Sequence, residues 1–207
     1  MEYKKIHLDL LKISKKNNHS SFLNFLKSSP PKQLKVFNGE LSVYLSKAIV
    51  GQQLSIASAA AIWGRFADAY IKDEEILNNQ ADDQLRDLGF SRQKISYLKS
   101  LIESGLDYDQ METMQSEEVI RILTNIKGIG IWTAEIYCIF SLRRLDIFPA
   151  GDLALQEAAK ILLNLENRPS EKEMRKIAES WVPYRSVCAI ILWHFYRNFK
   201  SRESTLW

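Results

Sequence analysis

Leu123-Thr124-Asn125-Ile126-Lys127-Gly128-Ile129-Gly130-Ile131-Trp132-Thr133-Ala134 is the stretch on which the reading of the fold turns. Ahead of it Val119, Ile122, Leu123 and Ile126 recur at helical spacing, and behind it Trp132, Ile136, Ile139 and Phe140 do the same. Gly128 and Gly130 therefore interrupt what would otherwise be one long helix, and the pattern predicts a helix-hairpin-helix. Both glycines lack a Cβ, so both are free to take positive φ and to let another backbone come close. Ile129 between them reads as an apolar plug. The following helix begins with N–H groups that have no intrahelical acceptor and with the positive end of its dipole, an arrangement that suits a phosphate. An isolated Gly-X-Gly more often just joins two packed helices. What shifts the reading here is the apolar Ile129 together with Phe148-Pro149-Ala150-Gly151-Asp152 about twenty residues on.

Composition sets looser bounds. A chain of 207 residues with 46% hydrophobic content is long enough to bury a substantial core, as one domain or two small lobes. A net charge of +3 and a pI near 8.7 permit nucleic acid without pointing to it, and a binder that uses main-chain amides needs few lysines. Cys138 and Cys188 both lie in apolar helical segments, which implies buried free thiols in a reducing compartment and excludes a four-cysteine iron–sulfur cluster. Met1 to Ser29 mixes Lys4, Lys5, Asp9, Lys12, Lys15 and Lys16 with Ile6, Leu8, Leu10, Leu11 and Ile13. It has no uninterrupted apolar stretch for a signal peptide, so a cytoplasmic protein is expected. No run approaches the roughly 20 apolar residues that cross a bilayer, and no membrane partner is expected. His7, His19 and His194 are scattered and form no side-chain metal motif.

Pro30-Pro31 is the first clear break. Helices are predicted from Ser42 to Val50, from Ser55 to Ala69, and from Ser91 as N-cap through Ile95, Leu98 and Ile102. Leu88-Gly89-Phe90 reads as a helix-ending turn, and Ser104-Gly105 ends the next helix. Asp152 stands at the N-cap of a helix running from Leu153 to Leu163. A last long helix starts near Pro183, with Val187, Ile190, Ile191 and His194 on one face. Period-two alternation and internal repeats are absent, so the fold class expected is all-α.

Four patches, in this order and spacing, carry a resemblance: Ile49-Val50-Gly51-Gln52-Gln53-Leu54-Ser55, the hairpin, Pro149-Ala150-Gly151-Asp152-Leu153, and Trp181-Val182-Pro183-Tyr184-Arg185-Ser186. Together they resemble the helix-hairpin-helix (HhH-GPD) superfamily of DNA base-excision glycosylases, within it the 3-methyladenine DNA glycosylase II, AlkA-like, branch, over roughly Leu41 to Phe195. The resemblance implies the compact, all-helical form: one lobe of about residues 1–40 with 155–207, a second of about 41–154, and an active cleft between them. It also implies a monomer that acts on double-stranded DNA containing damaged bases, and the missing cysteines set the chain apart from the cluster-bearing glycosylases.

By the same resemblance Asp152 is the catalytic aspartate, and its role as helix N-cap is compatible with that, since a helix N-terminus stabilises negative charge. An ionised carboxylate beside C1′ would stabilise the oxocarbenium charge that builds as the glycosidic bond breaks, or orient the attacking water. In bifunctional members the position of Trp132 carries a lysine that forms a Schiff base with the sugar. A tryptophan there implies a monofunctional enzyme with water as nucleophile and an abasic site as product. Lys127, before the first glycine, reads as a phosphate contact or a solvated surface residue.

The resemblance further places Trp132 and Trp193 on the wall of a base pocket, with Ile136 where some relatives carry an aromatic residue. Core packing is at least as frequent a role for any one tryptophan. Aromatic faces suit positively charged alkylated purines such as 3-methyladenine and 7-methylguanine, which are already good leaving groups. Gln52 and Gln53 lie in the stretch that reaches the minor groove, with Gln53 at the wedge position; the bland alternative is a helix-terminal polar pair. Lys127, Gly128, Ile129, Gly130 and Thr133 complete the DNA-binding set. Arg185 reads as an internal salt-bridge partner in preference to a phosphate contact. No cofactor is required, but the carbonyls of Thr124, Ile126 and Ile129 match those that hold a structural Na+ or K+ in the family. Two further readings stay open: a helix-hairpin-helix DNA-binding module without chemistry, and a glycosylase for mismatched or oxidised bases.

Overall fold

The computed structural model describes residues 2–32, 41–72 and 82–203. Among them every regular element is helical, as the absence of alternation predicts. The helices are α1 (Glu2–Lys16), α2 (Ser20–Ser28), α3 (Leu41–Gly51), α4 (Ile56–Lys72), α5 (Asp82–Asp87) and α6 (Arg92–Glu103). They continue as α7 (Tyr108–Thr113), α8 (Ser116–Thr124), α9 (Ile131–Phe140), α10 (Leu153–Leu162), α11 (Glu171–Ala178) and, after a 3-10 turn at Glu179–Trp181, α12 (Arg185–Glu203). None of the described helices is long and apolar enough to cross a membrane.

The chain divides into two compact units, residues 1–36 with 138–207, and residues 37–137. In the first unit α10 packs on α12 and on α2, and α1 packs on α2. Its core is built around Trp181, fully buried, with Phe148 and Phe22 at ring-centroid distances of 5.5 and 5.7 Å. The sequence reading draws the return to this unit at about residue 154, whereas the structure draws it at 137/138. The reason is that residues 146–150 are bound into the first unit. Phe148 and Ala150 sit in its core, Ile147 exchanges two 2.9 Å hydrogen bonds with the hydroxyl of Ser186, and Asp146 pairs with Arg185. On α12 only Val187 and Ile191 of the expected face are buried, Ile190 and His194 being half-buried, and Cys188, Ala189 and Leu192 complete the buried surface. Cys138 and Cys188 are free and buried as expected, and burial, reinforced by the nearby Asp146 carboxylate, pushes the Cys188 thiol up.

In the second unit α3 packs on α4 and on α6, and α5 packs on α6. Ser91 caps α6 through a bond from the Lys94 N–H, and Gly89, at φ +101, closes α5 with bonds from Gly89 and Phe90 back to Arg86 and Leu85. That double bond pattern is the helix-ending turn read from Leu88-Gly89-Phe90. The apolar stripe of α6 differs by one position from the expected one: Lys94, Ile95, Leu98 and Leu101 are buried, while Ile102 is exposed.

Candidate functional site

The hairpin forms where it is predicted, between α8 and α9, and its two glycines do different work. Gly128 has φ +93, and a Cβ built on it would overlap the ring of Tyr97 on α6. Both facts demand glycine. Gly130 is outside the left-handed region and nothing lies within 4 Å of where its Cβ would stand. Of the two glycines free to take positive φ, only Gly128 does so. Ile129 is the buried plug expected, its N–H donating to the Ile126 carbonyl at 3.0 Å. The Gly130 carbonyl accepts from Ala134 N–H at 3.0 Å, which makes Gly130 the N-cap of α9. A glycine N-cap brings no side chain to the first-turn N–H groups.

Lys127 is exposed, with Nζ donating to Ser96 Oγ at 3.1 Å. Thr133 is buried, and its side chain offers almost no surface at the hairpin. Gln52 departs further from its expected role, because its amide nitrogen donates to the Gly128 carbonyl at 2.8 Å and braces the hairpin. Gln53, next to it, is exposed and holds φ +57. Gln52, Tyr97, Thr124, Ile126, Gly128 and Gly130 are among the residues that line one open depression of about 460 Å³.

The two tryptophans differ in their burial within their own units. Trp132 does not join the buried side of α9: residues 133–139 are buried, whereas Trp132 is 47% exposed at the start of the helix. Trp193 stacks on Phe140, with centroids 6.0 Å apart and planes at 29°, and packs against the core of the first unit. Packing thus describes Trp193 well. Ile136 is 9% exposed and offers almost no surface to a ligand.

Asp152 caps α10, its Oδ1 accepting from the N–H groups of Ala154 at 2.9 Å and Leu155 at 3.1 Å. The turn that presents it is held from several sides. Ala150 N–H donates to Phe148 O and Asp152 N–H to Pro149 O, both at 2.9 Å. The buried Gln156 side chain donates to Ala150 O at 2.8 Å. Upstream, Arg185 makes a two-pronged pair with Asp146, Nε to Oδ1 at 2.8 Å and a terminal nitrogen to Oδ2 at 2.9 Å, so the internal reading of Arg185 holds. The Trp181 to Ser186 patch and the Pro149 to Leu153 patch are parts of one device: the first anchors residues 146 and 147, which lead into the turn that carries the carboxylate.

A sequence model described as "HhH-GPD superfamily base excision DNA repair protein" matches residues 46–184, which include the hairpin, Asp152 and most of the last patch. The chain belongs to that superfamily. It is 37% identical to DNA-3-methyladenine glycosylase 1 of Schizosaccharomyces pombe over 158 residues, 72% of this chain and 69% of the other. Among solved structures, DNA-3-methyladenine glycosidase from Bacillus halodurans superposes with a TM-score of 0.78 at 34% identity, covering 91% of this chain and 89% of that one. The S. pombe 3-methyladenine DNA glycosylase Mag1, in complex with abasic DNA, superposes with a TM-score of 0.69 at 31% identity over 84% and 88% of the two chains.

The superfamily motifs did not reveal four residues that hold these segments. Lys94, Ser96 and Tyr97 on α6 touch the end of α3 or the hairpin, and Gln156 holds the Asp152 turn. One signal for the first was legible: Lys94 shares the i, i+4, i+7 register of Leu98 and Leu101, an unusual place for a lysine.

Proposed function

We propose that this superfamily member is a monofunctional DNA glycosylase of the 3-methyladenine II, AlkA-like, type. It would excise alkylated purines such as 3-methyladenine and 7-methylguanine from duplex DNA by hydrolysis, in base-excision repair, leaving an abasic site. The observation that carries the reading is Asp152. Its carboxylate is oriented by two main-chain N–H groups at the start of α10, on a turn secured by Gln156. A carboxylate fixed in this way can stabilise positive charge on a sugar without reorganising as the charge develops. The named activity of the similar proteins supports the substrate class.

Trp132 supports both the substrate and the reaction type. Its exposed indole offers a face to a cationic base, worth ~0.5–2 kcal/mol, and it stands where a Schiff-base lysine would be needed for strand cleavage. The nearby amines have other employment: Lys127 bonds Ser96, and Lys94 is buried with its ammonium on Val50 O. DNA would be gripped at the hairpin, where Gly130 leaves room for a phosphate at the N-terminus of α9.

The residues present fit a monovalent cation at the hairpin. Thr124 closes α8, and the last carbonyls of a helix carry partial negative charge. Ile126 O accepts one bond from Ile129 N–H and keeps a second lone pair. Thr124, Ile126 and Ile129 would supply main-chain oxygen, the ligand type that Na+ and K+ prefer; the bound ion would add positive charge beside a DNA phosphate.

The test is to incubate methylated duplex with the protein, separate the released bases by chromatography, and add borohydride to a parallel reaction. Free 3-methyladenine is expected, with the strand intact until alkali is added and no protein–DNA adduct. DNA binding without base release would leave a non-catalytic module, and a trapped adduct would overturn the monofunctional reading.

A further inference from the structure

The turn from Gly51 to Leu54 is held poorly by its own backbone. Gln52 N–H reaches Ile49 O and Leu54 N–H reaches Gly51 O, each at 3.3 Å, beyond the usual range for such bonds. Gln53 meanwhile sits at φ +57, a conformation that residues with a Cβ adopt at a free-energy cost unless their surroundings impose it. Two side chains tie down the backbone on either side of Gly51. Lys94 Nζ donates at 2.5 Å to Val50 O, in the last turn of α3, and Gln52 Nε2 donates at 2.8 Å to Gly128 O on the hairpin. The ties lie on successive sides of Gly51, and Gln53 follows the second directly.

Lys94 is an expensive way to fill its place. It is 9% exposed, and burial pushes its ammonium down from the ordinary lysine range. An apolar residue in register with Leu98 and Leu101 would occupy the same stripe without desolvating a charge. Capping a helix C-terminus is one use for such a lysine. That use does not account for the second tie, nor for the strained glutamine beyond the two ties.

We propose that Lys94 and Gln52 are positioning residues that lock the 50–54 turn in the conformation presenting Gln53, so that preference for a duplex with a gap in its base stack over an intact duplex depends on both ties. The proposal rests on the glycosylase reading and on Gln53 as the wedge that fills the gap.

The experiment is a mutant cycle on the full chain. The readout is the ratio of affinities for a duplex carrying a tetrahydrofuran abasic analogue and for the same duplex undamaged. Gln53→Ala should lower that ratio about tenfold, and Lys94→Met should lower it by a similar factor while affinity for undamaged duplex stays within about twofold, as interaction through a shared element requires. The double variant should be no worse than Gln53→Ala alone. Lys94→Arg, which can still donate to Val50 O, should recover most of the ratio. Additive losses, or an equal fall in both affinities with an unchanged ratio, would make the lysine merely structural and overturn the proposal. Should Lys94→Met fail to fold, Gln52→Leu carries the same cycle, and an undiminished ratio there is equally fatal. If Gln53→Ala leaves the ratio untouched while methylated bases are still released, the wedge assignment fails and takes the proposal with it. No base release and no abasic preference in the unaltered protein would instead mark failure of the glycosylase reading.

Discussion

The hairpin and the Asp152 turn both lead into a helix N-terminus, and they treat it in opposite ways. At the start of α10 the chain supplies its own anion: Asp152 Oδ1 takes two main-chain N–H groups. At the start of α9 the N-cap is Gly130, which has no side chain to offer and leaves open space around its Cα. One helix dipole stabilises a resident carboxylate, and the other meets no side chain of its own cap residue. Under the proposed function the same backbone physics would serve catalysis in one unit and DNA grip in the other, and the difference lies in a single cap residue.

The sharpest break in that comparison is Asp152→Asn. Asparagine caps a helix about as well as aspartate, so the fold and the affinity for abasic duplex should hold, while single-turnover base release falls by at least about a hundredfold, the scale of a lost electrostatic contact to the transition state. Release near the original rate would remove Asp152 from the chemistry. The next effect separates the two hairpin glycines. Gly128→Val must carry a branched side chain at φ +93 into the Tyr97 ring, and thermal or urea unfolding should show a loss of about 2–4 kcal/mol. Gly130→Val has no such neighbour. It should fold with ~1 kcal/mol or less of lost stability but bind duplex about tenfold more weakly, equivalent to ~1.4 kcal/mol. Equal affinity of Gly130→Val and the unaltered chain would return the hairpin to a purely structural role.

Smaller effects sharpen the same contrast. Asp152→Ala removes cap and charge together, so beyond its catalytic loss it should unfold ~1 kcal/mol more easily than Asp152→Asn; equal stabilities would mean the two N–H bonds contribute nothing to the fold. Last, because main-chain amides would replace lysines at α9, the logarithm of duplex affinity should fall with the logarithm of salt concentration with a slope of only about −3 to −4. A slope near −8 would point to a broad basic face instead.

How much was legible depended on how local the cause was. The Ser91 cap, the Gly89 turn and the Asp152 cap each follow from a few neighbouring residues and form as read. Where the cause is a partner distant in the chain, sequence reading failed or blurred. Gly130 looks like Gly128 until the Tyr97 ring is placed beneath one and not the other. Gln52 reads as a DNA-facing polar residue until Gly128 O takes its amide, 76 positions away. Thr133 and Ile136 fit an interface pattern, yet α9 is buried along one continuous run from 133 to 139, and Ile131 and Trp132 at its start are exposed. The unit boundary moved for the same reason, since Ser186 and Arg185 hold residues 146 and 147 from 39 positions away.

Sequence alone therefore determined the helical class, the hairpin and the carboxylate at a helix start, because periodicity, glycine and cap chemistry act within a turn or two of chain; the superfamily was legible only as a resemblance carried by four patches. Tertiary structure decided which glycine is indispensable to the fold, which tryptophan stays exposed, and that a buried lysine bonds the last turn of α3, ahead of Gln53. Those outcomes depend on steric overlap and on hydrogen bonds between groups remote in sequence, and neither exists until the helices have packed.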